Sequence, residues 1–116
     1  MIKMKRIYEK PDRTDGKRVL VDRLWPRGVR KEEALIDEWF KDIAPSDELR
    51  RWYGHKVERW EDFRKRYRAE LSKAPANELV QKLQKEGKRS TVTLLFAASD
   101  SEHSNAAVLK ELLEKR

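Results

Sequence analysis

Hydrophobic positions along the chain follow two periods, one typical of β-strands and one typical of α-helices. Val19-Leu20-Val21 is a short β-branched apolar run, and Thr91–Ala98 is a longer one, so both predict buried strands. Residues 2–8 begin with alternating apolar and basic side chains, as a half-buried strand does. Residues 36–40 fit either period, and their short length and strand-like neighbourhood favour a strand there.

Apolar residues recur every three or four positions in four later segments, which predicts helices. The first begins after Ser46, a favourable N-cap residue, and ends at Gly54. The second runs from about Val57 to Ser72 and turns an aromatic stripe toward the core. The third carries an apolar face over residues 79–83 and is expected to end at Gly87, and the last covers about Ser104–Glu114.

This order of elements predicts one small layered α/β domain over residues 1–116, with a mostly parallel sheet of about four strands flanked by helices. In such sheets, ligands bind outside the carboxyl ends of the strands. The segments that directly follow the two clearest strands, Asp22–Gly28 and Ser99–Asn105, are therefore the candidate site. Residues 41–46 are a candidate third wall.

The segment Asp22–Gly28 carries two arginines on either side of a Trp-Pro pair. A proline and a glycine favour a rigid, specific loop conformation. Arginine binds phosphate or carboxylate through two parallel hydrogen bonds, so Arg23 and Arg27 are candidate anion contacts. Asp22 would orient Arg23 or act as a base. The alternative is a structural Asp–Arg pair in a loop whose Trp25 covers the edge of the core.

The polar segment Ser99–Asn105 leads into the last helix, whose free N–H groups attract anions. His103 in this segment is a candidate general acid or base. The alternatives are that the acidic and hydroxyl side chains cap the helix, and that His103 is an ordinary surface histidine. His55, just after Gly54, is interpreted as a capping or packing residue. The predicted ligand contacts in the two loops are Arg23, Arg27, Ser99, Asp100, Ser101 and Asn105, with Asp22 and His103 as the candidate catalytic groups.

The net charge of +7 is confined to the first quarter of the chain. Residues 1–31 hold 11 Lys and Arg against 4 Asp and Glu, and the remaining residues hold 17 of each sign. A localised basic zone favours an anionic partner. The alternative is that lysines and arginines at positions such as Lys3, Lys5, Lys10, Arg13 and Lys17 protect edge strands against aggregation.

Several classes of site are excluded by composition and motifs. The chain has no cysteine and only two histidines, far apart, so a thiolate or histidine metal site is not expected. A glycine-rich phosphate loop, a dinucleotide fingerprint and a Gly-x-Ser-x-Gly motif are absent, so no cofactor is identified. The longest apolar runs are far shorter than the roughly 20 residues of a membrane span, and the N-terminus does not resemble a signal peptide. These features predict a cytoplasmic protein with no membrane partner. They do not indicate an oligomeric state.

Several strings together resemble the YeaO-like branch of domain-of-unknown-function family 488, a family of uncharacterised bacterial and archaeal proteins. The most specific is Val21-Asp22-Arg23-Leu24-Trp25-Pro26-Arg27-Gly28, and others are Ile43-Ala44-Pro45-Ser46 and Tyr67-Arg68-Ala69-Glu70-Leu71. The resemblance covers essentially the whole chain. It implies an α/β fold and marks Asp22, Arg23 and Arg27, but it supplies no established activity.

The resemblance also shows where this chain departs from its relatives. Many YeaO-like proteins carry Lys at the position of Ser99 and Asn-His or Asn-Asn at Ser104-Asn105. Longer relatives carry Cys-His-Arg near Ser104-Asn105-Ala106, so this chain lacks the cysteine that thiol chemistry would need there.

Three functions are left open by the sequence. The first is a site for a phosphate- or carboxylate-bearing small molecule, with or without catalysis, at the carboxyl edge of the sheet. The second is a nucleic-acid-binding module that uses the basic first quarter, although no nucleic-acid motif is present. The third is a structural or partner-binding domain with Trp25 or Trp39 at an interface.

Overall fold

The computed structural model describes residues 1–115, and its centre is a four-stranded, all-parallel sheet. The order of strands across the sheet is β1-β4-β2-β3. The α/β class with a parallel sheet is thus confirmed. The strands are β1 Ile2–Arg6, β2 Lys17–Leu20, β3 Glu38–Trp39 and β4 Val92–Phe96.

Within residues 1–115, five α-helices complete the fold, and four of them lie where the apolar periodicity predicts them. Ser46 caps the first of these four through its hydroxyl, and Ser104 caps the last in the same way. The short helix α1 was not predicted; it has four residues, three of them exposed, and therefore leaves no apolar stripe in the sequence. The helices are α1 Lys31–Ala34, α2 Asp47–Tyr53, α3 Trp60–Leu71, α4 Ala76–Arg89 and α5 Asn105–Glu114.

The predicted end of the third helix at Gly87 is wrong, because α4 continues to Arg89. Gly87 is buried inside the helix, and a Cβ atom there would collide with the side chain of Ile2 on β1. The glycine therefore allows α4 to approach the sheet closely and does not end the helix. The predicted strand over residues 36–40 exists as the two-residue β3, which pairs with β2.

The two faces of the sheet contact different parts of the chain. On one face, Val92, Leu94 and Phe96 of β4 join a large apolar cluster with residues of α2 to α5. On the other face, Leu20 and Leu95 pack against the segment that follows β2, including Trp25 and Ala34. The chain thus leaves β2 toward one face and leaves β4 toward the other. Diverging connections of this kind open a crevice at the carboxyl edge of a parallel sheet.

Candidate functional site

A cavity of about 380 Å³ lies at the carboxyl edge of the sheet. Residues 22–27 after β2 form one wall, and residues 97–98 and 103–105 after β4 form the opposite one. Its volume lies within the range of roughly 300–1,000 Å³ that is usual for small-molecule sites. Other lining residues come from more distant parts of the chain: Tyr8, Pro45, Arg50, Tyr53, His55 and Phe63.

The structure brings five of the eight predicted site residues to this cavity: Asp22, Arg23, Arg27, His103 and Asn105. Ser99, Asp100 and Ser101 are not among its lining residues. Asp100 instead caps the turn Ser101–His103 by accepting a hydrogen bond from the His103 backbone N–H at 3.3 Å. Asp100 therefore has the capping role that the sequence left open as the alternative to ligand binding.

The arginine-bearing loop is braced by two indole rings. The Trp25 indole donates a hydrogen bond to the Val29 carbonyl at 2.7 Å, and the Trp39 indole donates to the Asp22 carbonyl at 2.7 Å. The two rings meet edge to face, with their centroids 5.4 Å apart. The Tyr8 hydroxyl adds a hydrogen bond to the Arg27 carbonyl at 3.1 Å. The backbone that carries both arginines is therefore fixed by side chains from three parts of the chain.

Arg23 is held by backbone carbonyls and not by a carboxylate. Its Nε donates to the Pro45 carbonyl at 3.2 Å, and its Nη2 donates to the Ala44 carbonyl at 3.3 Å. No carboxylate of residues 1–115 forms a salt bridge with Arg23 or with the exposed Arg27. Since a guanidinium has five N–H groups, Arg23 keeps donors and its full charge for a ligand.

Helix α3 fixes the segment that holds Arg23. The buried Tyr67 hydroxyl donates to the Ile43 carbonyl at 2.6 Å. Glu70 accepts hydrogen bonds from the Ser46 backbone N–H at 2.8 Å and from the Ser46 hydroxyl at 2.6 Å. Burial, together with the negative charges of Asp22 and Glu70, raises the pKa of Tyr67 well above its ordinary value, so its hydroxyl remains a donor at neutral pH. Arg23 is thereby connected to the helical core through residues 43–46.

Asp22 does not pair with Arg23, contrary to one interpretation of the sequence. Its carboxylate accepts hydrogen bonds from the Ala97 backbone N–H at 2.9 Å and from the Asn105 side-chain amide at 3.1 Å. The same amide also donates to the Val21 carbonyl at 2.9 Å. Burial raises the pKa of Asp22, while these two hydrogen bonds and the nearby His55 counteract part of the increase. Asp22 thus ties β2 to the end of β4 and to α5.

His103 reaches the cavity with its ring oriented by Asp100. The Nδ1 atom lies 2.8 Å from an Asp100 carboxylate oxygen, and this hydrogen bond is the main cause that lowers the pKa of Asp100. Because an ionised carboxylate only accepts, Nδ1 carries the proton of this hydrogen bond, and Nε2 is the ring nitrogen left for another contact. The Trp60 ring meets the imidazole edge to face, with their centroids 5.2 Å apart. The Tyr53 hydroxyl donates a hydrogen bond to the His103 carbonyl at 2.8 Å.

Sequence reasoning missed Tyr8, Arg50 and His55 as residues of the cavity. His55, which the sequence marks as a capping or packing residue, does lie near Tyr53, with ring centroids 6.0 Å apart, and it also lines the cavity. Gly54 and His55 are both left-handed, with φ of 52° and 58°, and this turn after α2 brings the ring to the cavity. A histidine next to a C-cap glycine is a weak signal for such a turn, because histidine tolerates positive φ better than most residues. Tyr8 and Arg50 left no signal, since only the tertiary fold brings them to the loop.

Among residues 1–115, no three His, Cys, Asp or Glu side chains are grouped as a metal site would require. No helix in this part of the chain is long and apolar enough to cross a membrane.

The fold and cavity define a small α/β protein with a cationic crevice at the carboxyl edge of a parallel sheet. Residues 1–116 match the family model described as "Inactive DUF488-N3 subclade", and the chain belongs to this family. It is 45% identical over 115 residues to the uncharacterised protein Rv3073c of Mycobacterium tuberculosis, covering 99% of this chain and 95% of that protein. It is 40% identical over 112 residues to the uncharacterised protein YeaO of Escherichia coli, covering 97% and 96% respectively. The YeaO-like resemblance is thus confirmed. No solved structure matches the chain significantly.

Proposed function

We propose that this protein binds an anionic small molecule, bearing a phosphate or carboxylate, in the cavity at the carboxyl edge of the sheet. The observation that carries the proposal is the charge of the lining. Among residues 1–115, the lining of the cavity includes three arginines, Arg23, Arg27 and Arg50, and one carboxylate, that of Asp22, so it has an excess of positive charge. Arg50 has a partner in Asp47 at 3.5 Å, whereas Arg23 is held, within residues 1–115, only by neutral carbonyls.

Binding without catalysis is the form of this proposal that the chain's own residues favour. Near the position where longer relatives carry a cysteine, this chain has Ser104. The Ser104 hydroxyl donates to the Ser101 carbonyl at 2.8 Å and accepts from the Ala107 N–H at 3.2 Å, so it serves as a helix cap. The description "inactive" of the matching subclade agrees with a binding role.

A nucleic-acid partner has less support, because several cations of the basic first quarter already have partners. Lys5 pairs with Asp15 at 2.9 Å, and Lys17 pairs with Glu86 at 2.8 Å. Arg18 is buried and also pairs with Asp15. The charge available to a long polyanion is therefore smaller than the sequence count.

Thermal unfolding with a library of phosphates, nucleotides, phosphorylated metabolites and carboxylates tests the proposal. A ligand present at about 100 times its Kd adds about 2.7 kcal/mol to the free energy of unfolding, which corresponds to a rise in Tm of about 10 °C for a domain of this size. Arg23→Gln is expected to abolish the rise. The matched control is Arg51→Gln, which removes an exposed arginine of the neighbouring helix outside the cavity and is expected to keep it.

Two results would overturn the proposal. One is that no anion in the library raises the Tm of the unmodified protein. The other is that Arg51→Gln and Arg23→Gln reduce the rise equally, since the effect would then come from general surface charge. Recovery of the bound ligand, chemically unchanged, after prolonged incubation tests the absence of turnover.

A further inference from the structure

Asp22 is an unexpected neighbour for an anion. It is the one carboxylate that lines the cavity among the described residues, and it sits beside the arginine that carries the anion site. A bare anion would gain from Arg23 and would be repelled by Asp22. The loop thus presents an acceptor, the Asp22 carboxylate, next to the N–H donors of Arg23. A fully complementary ligand must therefore carry both a hydrogen-bond donor and an anionic acceptor.

The hydrogen bonds of Asp22 leave room for a ligand. A carboxylate has sites for about four hydrogen bonds. Within residues 1–115, the two oxygens of Asp22 each accept one, from Ala97 N–H and from the Asn105 amide. These two bonds hold the carboxylate in place at the end of β2, and Asp22 lines the cavity with acceptor sites that no described residue uses. A half-buried acceptor of this kind needs further donors to offset its desolvation.

Neighbouring positions direct Asp22 and Arg23 to different partners. Asp22 reaches the end of β4 and α5, while Arg23 reaches the carbonyls of Ala44 and Pro45. A ligand that touches both must therefore carry its anionic group and its donor groups on different atoms of one small skeleton.

We propose that the cavity takes a phosphate ester of a polyhydroxylated skeleton, a sugar phosphate or a mononucleotide, with the phosphate at Arg23 and Arg27 and a hydroxyl donating to Asp22. The inference rests on the proposed anion-binding function and specifies its ligand. A hydroxyl suits the site better than an ammonium group, because an ammonium at Asp22 would face the three lining arginines. The cavity of about 380 Å³ lies at the lower end of the usual range for ligand sites, which fits a ligand of this size better than a dinucleotide.

Isothermal titration calorimetry with four probes tests this inference: ribose 5-phosphate, adenosine 5′-monophosphate, n-pentyl phosphate and inorganic phosphate. The first two carry hydroxyls and separate a sugar phosphate from a nucleotide. Pentyl phosphate has the same number of carbon atoms as ribose 5-phosphate but no hydroxyl. At least one hydroxylated ester is expected to bind about tenfold or more tightly than pentyl phosphate, because it alone donates a hydrogen bond to the charged Asp22.

Asp22→Asn gives a second test in which the two kinds of ligand respond in opposite directions. The hydroxylated ester should lose about tenfold or more in affinity. Pentyl phosphate should bind as well as before or more tightly, because the variant removes a negative charge near its phosphate. A general disruption of the loop would weaken both ligands. If the variant does not fold, the comparison of the four probes on the unmodified protein decides alone.

The outcomes separate this inference from the proposed function. If pentyl phosphate or inorganic phosphate binds as tightly as both hydroxylated esters, or if Asp22→Asn weakens all ligands equally, the role of Asp22 is refuted while anion binding stands. If none of the four phosphate probes binds but a carboxylate of the thermal-unfolding library does, the phosphate-ester assignment is refuted and anion binding again stands. If no anion of any kind binds, both proposals are refuted.

Discussion

Replacing Tyr67 by Phe should destabilise the protein by about 1–3 kcal/mol, because it leaves one buried carbonyl without a partner. The Tyr67 ring has 0% exposure, and its hydroxyl donates to the Ile43 carbonyl at 2.6 Å. The change removes one oxygen atom and leaves the ring packing with Phe63 intact. The loss therefore reports the hydrogen bond and the desolvated Ile43 carbonyl, with little contribution from a cavity.

Urea unfolding followed by tryptophan fluorescence measures the effect, since the chain has four tryptophans. With a slope of about 1–3 kcal/mol per M urea, the midpoint should fall by roughly 1 M with the slope unchanged. Tyr8→Phe is the matched control. It removes the same atom from an exposed residue whose hydroxyl donates to the Arg27 carbonyl at 3.1 Å, and it should change stability by less than about 0.5 kcal/mol. Equal losses in the two variants would refute the argument that burial makes the Tyr67 bond important.

Three further variants test other parts of the fold. In urea unfolding, Gly16→Ala should lower the free energy of unfolding more than Gly28→Ala. Both glycines have positive φ, but of the two only Gly16 lies where a Cβ atom would collide with the Thr91 backbone. Equal losses in the two variants would contradict this reasoning. Asp15→Asn should cost about 3–5 kcal/mol at pH 7, because it leaves the buried Arg18 without its carboxylate. Burial alone would raise the pKa of Asp15, but hydrogen bonds from Lys5, the Asp12 backbone and Arg18 lower this pKa overall. The stability that the ionised carboxylate contributes is thus present above about pH 4 and is lost as the pH falls further. A difference in stability between the Asn variant and the unmodified protein that persists undiminished at pH 2 would contradict this reasoning. Trp25→Phe removes the indole donor to the Val29 carbonyl and should speed amide hydrogen exchange over residues 23–29. If amide hydrogens exchanged as slowly as in the unmodified protein, the hydrogen bond would not brace the loop.

Periodicity predicted the elements of this fold well where their residues are buried in a regular pattern. The strands around Val19-Leu20-Val21 and Thr91–Ala98 are the two central strands, and the capped helices begin where their serines indicate. The wrong prediction at Gly87 has a tertiary cause, because a glycine is required there by the close contact with Ile2 on β1 and not by the end of the helix. A contact over 85 positions leaves no trace in local sequence.

The candidate site was predicted only in part, for a related reason. The rule that ligands bind at the carboxyl ends of parallel strands located the loop with Arg23 and Arg27, and that loop does line the cavity. Which polar residues of the second loop face the cavity depends on the turn at residues 101–103, which Asp100 caps. That turn leaves His103 and Asn105 at the cavity and Ser99 and Ser101 outside its lining. Partners such as Tyr8 and His55 come from elements whose positions only the whole fold determines.

The contacts of the string Val21–Gly28 explain why so many of its residues are unusual at once. The Val21 carbonyl accepts a hydrogen bond from Asn105 and the Asp22 carbonyl accepts one from Trp39, so the end of β2 is tied to α5 and to β3. Trp25 braces the loop, and Arg23 donates two hydrogen bonds to backbone carbonyls of the segment after β3. A purely structural loop would satisfy these demands with a neutral donor at position 23, because both acceptors are carbonyls. An arginine held in this way lines the cavity without a carboxylate partner among residues 1–115, and this supports the proposal of a negatively charged ligand.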